Sequence, residues 1–341
     1  MRSLILKFME VKVSRAASLA TCGDPFTTLM WYKLFKERWY DEVDAVYINI
    51  NNHCGVPVEV INEMVSVLIK DPKIHLIYHP RGKGNGPPVA EIIRCCDQDL
   101  IMLCEEDGFI FDAGYVNFCF QQIESDLTDC VGSPRFSCGV EVGDAAKKRW
   151  GLNYGGYGDV GPNMWPNFFF CKRADLLRTD MDFGSHTWQP GEYSKELDHT
   201  FKEVNHGDTF VWMCVQLRAL GLRFDNVPQH HAGVYEVQDK LKREQNWHPA
   251  TQPFHWIHAG SLSAGWGGYL SGRIPDVSHE MAMYEMETRV AFWKICMDQT
   301  EGFKDFKSAY RGGMEELIVN ANLSTDRINA KIELYEELLR V

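Results

Sequence analysis

From Ser18 onward, short apolar runs alternate with amphipathic stretches of about ten residues. SLATC (18–22), VDAVYININ (43–51), IHLIYHP (74–80), DLIMLC (99–104) and CVGSPRFS (130–137) predict strands. Between them, an amphipathic stretch through Arg38, VEVINEMVSVLIK (58–70), PPVAEIIRCC (87–96) and GYVNFCFQQIES (114–125) carry helical spacing, with Pro87 and Pro88 where a helix start tolerates proline. Strands joined by such helices require right-handed crossovers, which predicts an α/β domain with a mainly parallel sheet. NFFFCKRADLL (167–177) reads as a strand running into a helix. GDTFVWMCVQLRALG (207–221) reads as a helix with Phe210, Met213, Leu217 and Leu220 on one face and Gly221 as its stop. Residues 150–166 turn to Gly, Asn, Tyr and Trp and predict a long irregular loop. Beyond Ser278 the pattern is wholly helical: Val290, Trp293 and Met297 share one stripe, and Ile328, Ile332, Tyr335 and Leu339 another. Residues 276–341 are therefore expected to form a C-terminal helical extension, acting as a cap or as the surface of a homo-oligomer.

The totals narrow the class. With 341 residues, 45% hydrophobic and 24% charged, the chain has the composition of a soluble globular protein. A formal charge of −12 argues against a strongly basic nucleic-acid platform, though a local basic groove stays open. The 11 cysteines are scattered and include no CxxC pair, which points to reduced thiols in a cytoplasmic setting rather than a disulfide framework. Cys22, Cys104 and Cys171 lie on apolar strand patterns and read as small buried hydrophobes. Near the N-terminus LILKFM, broken by Lys7, is too short for a signal or a span, so no membrane insertion is expected.

Candidate chemistry begins with LIMLCEEDGFIFD (100–112), where an apolar strand ends in Glu105, Glu106 and Asp107. Open parallel sheets bind ligands beyond the carboxyl ends of their strands. An extended chain turns Glu105 and Asp107 to one side and Glu106 to the other, so the first two suit a divalent cation such as Mn²⁺ or Mg²⁺. The same letters also fit a solvated Asp-Gly turn. RGKGNG (81–86) offers glycines for close backbone approach and Arg81 and Lys83 for diphosphate charge; it also fits a plain turn, and it lacks both the GxxxxGK[ST] and the GxGxxG spacing. Asp208 opens the expected helix at 207–221, where the default role of such a residue is to cap the helix. Of the adjacent His230 and His231 at most one points inward, and either His231 or His258 would offer an imidazole to the same cation. Trp150, Trp165, Trp188, Trp247, Trp256 and Trp266 fall in predicted loops, as stacking platforms for sugars or bases or as filling for the core.

The acidic strand end resembles the DxD-like motif of GT-A glycosyltransferases, in particular the family-2-like group. PRGKGNGPPVAEIIRCC upstream, and WPNFFFCKRADLL, HGDTFVWMCVQLRALGLRF and VPQHHAGVY downstream, keep that family's order over roughly residues 15 to 235. The resemblance implies a Rossmann-like, mainly parallel GT-A sheet flanked by helices over 15–275, with a nucleotide-sugar half at 15–140 and an acceptor half and lid at 141–275. It implies a UDP- or GDP-linked sugar held by Thr21, Asn51, Arg81, Lys83, Gly84, Asn85 and Glu106. Mn²⁺ or Mg²⁺ would sit on Glu105, Asp107 and His231 or His258, with Asp208 as the base of an inverting transfer. Segments 150–166 and 254–269 would wall and cover the acceptor, which is a glycan, a protein, a small molecule or a hydroxylated nucleic-acid base. Many relatives end the second strand with an acid that reads the base; YININN leaves that role to Asn49 or Asn51. A retaining transferase, a nucleotidyltransferase and a non-catalytic carbohydrate-binding protein are the alternatives.

Overall fold

The computed structural model describes residues 13–23, 25–52, 58–84, 86–106, 108–110, 112–135, 137–152, 163–227 and 256–258. The expected helical extension at 276–341 lies outside them, as do Asn85, Asp107 and His231.

In chain order the elements are β1 (Arg15–Thr21), α1 (Pro25–Leu34), β2 (Ala45–Asn51), α2 (Val58–Leu68), β3 (Ile74–His79), α3 (Gly86–Cys95), β4 (Leu100–Glu105), β5 (Gly108–Ile110) and α4 (Ala113–Glu124). There follow β6 (Cys130–Arg135), α5 (Val140–Trp150), β7 (Asn163–Lys172), α6 (Arg173–Leu176), β8 (His186–Trp188), β9 (Tyr193–Ser194), β10 (His199–Thr200), β11 (Asn205–Gly207), α7 (Val211–Ala219), β12 (Phe224–Asn226) and β13 (Trp256–His258). A seven-stranded sheet runs β12-β6-β7-β4-β1-β2-β3. Its neighbours are parallel except at β7, which is antiparallel to both β4 and β6. The mainly parallel α/β architecture matches the reading of the sequence. From β1 the chain winds outward through β2 to β3 and then returns to β4 on the other side of β1, which places the reversal of strand order between β1 and β4.

Alternation along the strands assigns the two faces. Ala17, Leu19, Val46, Ile48, Ile50, Leu100, Met102 and Cys104 pack with Trp31, Phe35, Ile61, Met64 and Leu68 of the first helices and with Val116, Phe120 and Ile123 of α4. Ala16, Ala45, Tyr47, Ile101 and Leu103 face the other way, onto Ala90, Ile92 and Ile93 of α3 and Met213, Cys214 and Leu217 of α7. Each Val, Leu, Ile, Met or Phe among them contributes about 1.5 to 3 kcal/mol by leaving water. All seven residues of β2 are buried, which fits a central strand covered on both faces. Burial pushes the thiols of Cys104 and Cys171 well above their ordinary range, so both act as small apolar residues, while Cys22 is only partly covered.

At the amino edge of the sheet, Asp71 gathers the Lys36 ammonium (2.7 Å), the hydroxyls of Tyr32 (3.1 Å) and Tyr40 (3.0 Å) and the backbone N–H of Lys73 (3.0 Å). Burial alone would raise its pKa, but the Lys36 bond and the other bonds outweigh it and hold the carboxyl below its usual value. A depressed carboxylate contributes stability above its unfolded pKa of about 3.9, and that contribution is lost as pH falls through the folded value. Asp71→Asn is accordingly expected to cost about 1 to 3 kcal/mol at pH 7 and to flatten the acid limb of a urea-midpoint profile below about pH 4. An unchanged acid limb would remove Asp71 from the account.

Candidate active site

The site is built where β1 and β4 end side by side, with Ala20 in register with Glu105. The pleat sends Glu105, half-buried, to the α3 face with Ile101 and Leu103, and Glu106 to the opposite face. Glu106 is 3% exposed. One carboxylate oxygen accepts the hydroxyl of Thr21 and the other the backbone N–H of Cys22 (3.2 Å). Thr21 in turn exchanges a bond with Thr28 of α1 (2.7 Å) and accepts the N–H of Gly23 (3.1 Å). Gly23 has φ +94°, and a Cβ there would lie 3.3 Å from the backbone of Asn52, so the turn after β1 is both left-handed and tightly abutted.

On the α3 face stand the polar ends of β2 and β3. Asn51 holds the RGKGNG loop by its backbone, accepting the N–H of Lys83 (2.8 Å) and donating to the carbonyl of Gly84 (3.0 Å). The side-chain amide thus serves the loop as a strand neighbour would, and Arg81, Lys83 and Gly84 are left exposed on it. Asn49 is fully buried and donates to the Pro88 carbonyl (3.3 Å) and to Glu91 (3.3 Å). His79 also bonds Glu91. Burial would raise the Glu91 pKa, and the His79 bond, helped by Lys83, outweighs it and holds the carboxyl down. His79 and Glu91 were not singled out in the sequence; the one available signal was an acid within the apolar run of α3.

Beyond the acids, β5 pairs antiparallel with β13, placing the backbone of His258 opposite Gly108. A Cβ on Gly108 would come within 2.9 Å of the Asn167 Cβ and 3.1 Å of its carbonyl, so a larger residue would force β5 away from β7. Trp256, fully buried, stacks on Phe168 with ring centroids 5.0 Å apart and holds β13 in the core. Among the described residues no three His, Cys, Asp or Glu side chains form a metal-binding group; Asp107 and His231 are outside that set.

Asp208 is not the first residue of the helix, as the sequence suggested. Helix α7 begins at Val211 after Phe210, which holds φ +71°. That left-handed backbone is costly for a bulky residue, about 1 to 3 kcal/mol. It is held by stacking on Phe183 (5.8 Å), an edge contact to Phe169 (4.9 Å) and a bond from the Phe210 N–H to the Phe183 carbonyl (3.1 Å). Asp208 therefore sits in a turn, its N–H on the Ser137 carbonyl (3.0 Å) and its Oδ1 on the N–H of Thr209 (2.8 Å). Ser137 follows the carboxyl end of β6, so this turn belongs to the same rim of the sheet as Glu105. The 183–184 turn continues the link: a Cβ on Gly86 would lie 2.5 Å from the Gly184 nitrogen, so it packs backbone to backbone on the start of α3, next to the RGKGNG loop.

The tryptophans depart from the loop assignment. Trp188 lies in β8 and Trp256 in β13, both fully buried, and Trp150 closes α5 ahead of Gly151 at φ +68°. Trp188 and Trp256 are thus core filling rather than ligand platforms; Trp165 lies on β7, and Trp247 and Trp266 lie outside the described residues. No helix among the described residues is long and apolar enough to cross a membrane.

No protein-family model matches the chain, and no curated protein resembles it. Among solved structures, S. aureus TarS in complex with UDP-GlcNAc aligns over 96% of this chain and 91% of its own, at 10% identity and a TM-score of 0.42. The mannosyltransferase PcManGT from Pyrobaculum calidifontis, in complex with GDP-Man and Mn²⁺, aligns over 90% of this chain and 86% of its own, at 12% identity and 0.43. The bifunctional IspDF of Campylobacter jejuni aligns over 64% and 50%, at 9% identity and 0.35.

Proposed function

We propose that this chain is a metal-dependent glycosyltransferase that moves a sugar from a UDP- or GDP-linked donor to an acceptor hydroxyl with inversion. The observation that carries the reading is the place of the acidic turn. It follows β4 where the strand order reverses, against the end of β1, with the backbone of His258 paired alongside at Gly108. Ligands of open α/β sheets occupy that crevice.

The donor atoms offered there suit a hard divalent cation, Mn²⁺ or Mg²⁺. Glu106 is engaged on the buried face by Thr21 and Cys22, so Glu105, Asp107 and one of His231 and His258 would hold the ion. When bound, it would offset the charge growing on the departing diphosphate. The remaining work falls to the chain. The turn after β1 and the loop fastened by Asn51 would cradle the nucleotide, with Arg81 and Lys83 adding positive charge at the diphosphate. Asp208 would take the proton of the acceptor hydroxyl as its oxygen bonds the anomeric carbon and the bond to the diphosphate breaks on the opposite side. In this reading residues 15–140 serve the donor and 141–275 the acceptor.

The test is turnover of a panel of UDP- and GDP-sugars with and without EDTA, followed by NMR assignment of the product anomer. Turnover that disappears in EDTA and returns with Mn²⁺ is the expected result. Full activity in metal-free buffer removes the metal from the scheme, retention of configuration removes the role of Asp208, and silence across the whole panel removes the transferase.

A further inference from the structure

The Glu106 carboxylate joins two turns that lie far apart in the sequence. The residue is 3% exposed and its carboxylate is engaged from two sides by groups on the turn after β1, the Thr21 hydroxyl and the Cys22 N–H. The partners are 85 and 84 residues away in sequence. Thr21 extends the connection to Thr28 on α1 and to the N–H of Gly23. Glu106 therefore ties together the two turns that meet at the reversal of strand order. Glu106 directly follows the last residue of β4, so anchoring it to the turn after β1 also holds the strand end at Glu105.

We infer that Glu106 is a positioning residue: bonded to Thr21 and Cys22, it holds the carboxyl end of β4, and with it Glu105, against the turn after β1 and couples metal affinity to that turn. This rests on the transferase reading for what the carboxylates hold, but the tie itself does not. Outer groups that orient metal ligands typically control about 10- to 100-fold in affinity. Thr21→Val keeps the shape of the side chain and removes the hydroxyl; Thr21→Ser keeps the hydroxyl. Glu106→Gln replaces one acceptor oxygen by a donor, which cannot satisfy both partners at once.

The experiment combines two readouts on the full chain. Calorimetry measures MnCl₂ binding in the presence of UDP or GDP, and hydrogen exchange follows the peptides spanning 20–24 and 105–110. Thr21→Val and Glu106→Gln are each expected to weaken Mn²⁺ binding about tenfold or more, to quicken exchange in both peptides together and to combine less than additively, with Thr21→Ser close to the parent. If Glu106→Gln fails to fold, Thr21→Val carries the test alone. Faster exchange confined to 20–24 overturns the tie, and so does unchanged Mn²⁺ affinity in Thr21→Val against a parent that binds. A parent that binds no Mn²⁺ with either nucleotide, while both peptides still loosen together, leaves the tie standing and overturns the transferase reading instead.

Discussion

Asp208→Asn is expected to lower turnover by about 10²- to 10⁴-fold while leaving nucleotide binding within about twofold of the parent. The asparagine retains the oxygen that accepts the Thr209 N–H, and the backbone bond to Ser137 does not involve the side chain, so the turn should keep its shape. What disappears is the capacity to receive a proton. The loss should therefore fall on kcat with KM for the donor little changed, the pattern of a group that acts in the transition state. A variant within tenfold of the parent would assign proton removal to another group. A retaining enzyme should also tolerate this change, which links the result to the anomer analysis.

The second large effect concerns stability. Trp256→Ala should cost about 3 to 5 kcal/mol in urea unfolding, because it empties a fully buried site stacked on Phe168 within the main core. Since three residue pairs join β13 to β5 among the described residues, the loss of that anchor should also release His258 from Gly108 and weaken Mn²⁺ binding. Trp256→Phe separates the two contributions. Among the described residues the buried indole N–H has no hydrogen-bond partner, and phenylalanine keeps the stack while removing that donor. It should stay within about 1.5 kcal/mol of the parent. An alanine variant costing under about 1 kcal/mol would mean that β13 is not held by this ring.

The parallel part of the sheet was legible because its central strands β1, β2 and β4 are covered on both faces and its helices carry one apolar stripe; the observed ends of β2, β3 and β4 fall within two residues of the expected ones. The opposed faces of Glu105 and Glu106 followed from the pleat alone. Asp208 was misplaced because Gly207-Asp208-Thr209 reads as the capping start of a helix, while tertiary contacts, the Ser137 bond and the clamp on Phe210, delay the helix to Val211. No local rule anticipates a phenylalanine at φ +71°. Trp188 and Trp256 were read as loop residues because strands of three residues are too short to show a period. The bonds of Glu106 to Thr21 and Cys22 span more than eighty residues, beyond the reach of any spacing argument.

The reversed direction of β7 has one further outcome. Its first residue, Asn163, pairs with Arg135 at the carboxyl end of β6, so the chain enters this strand from the rim that carries the acids and leaves it at the far edge. Asn163 is thereby a point at which the chain stands on the rim that carries the acids. If the proposed transferase reading holds, sequence changes just ahead of Asn163 should alter what is presented at that rim while β7 keeps its pairing with β6 and β4.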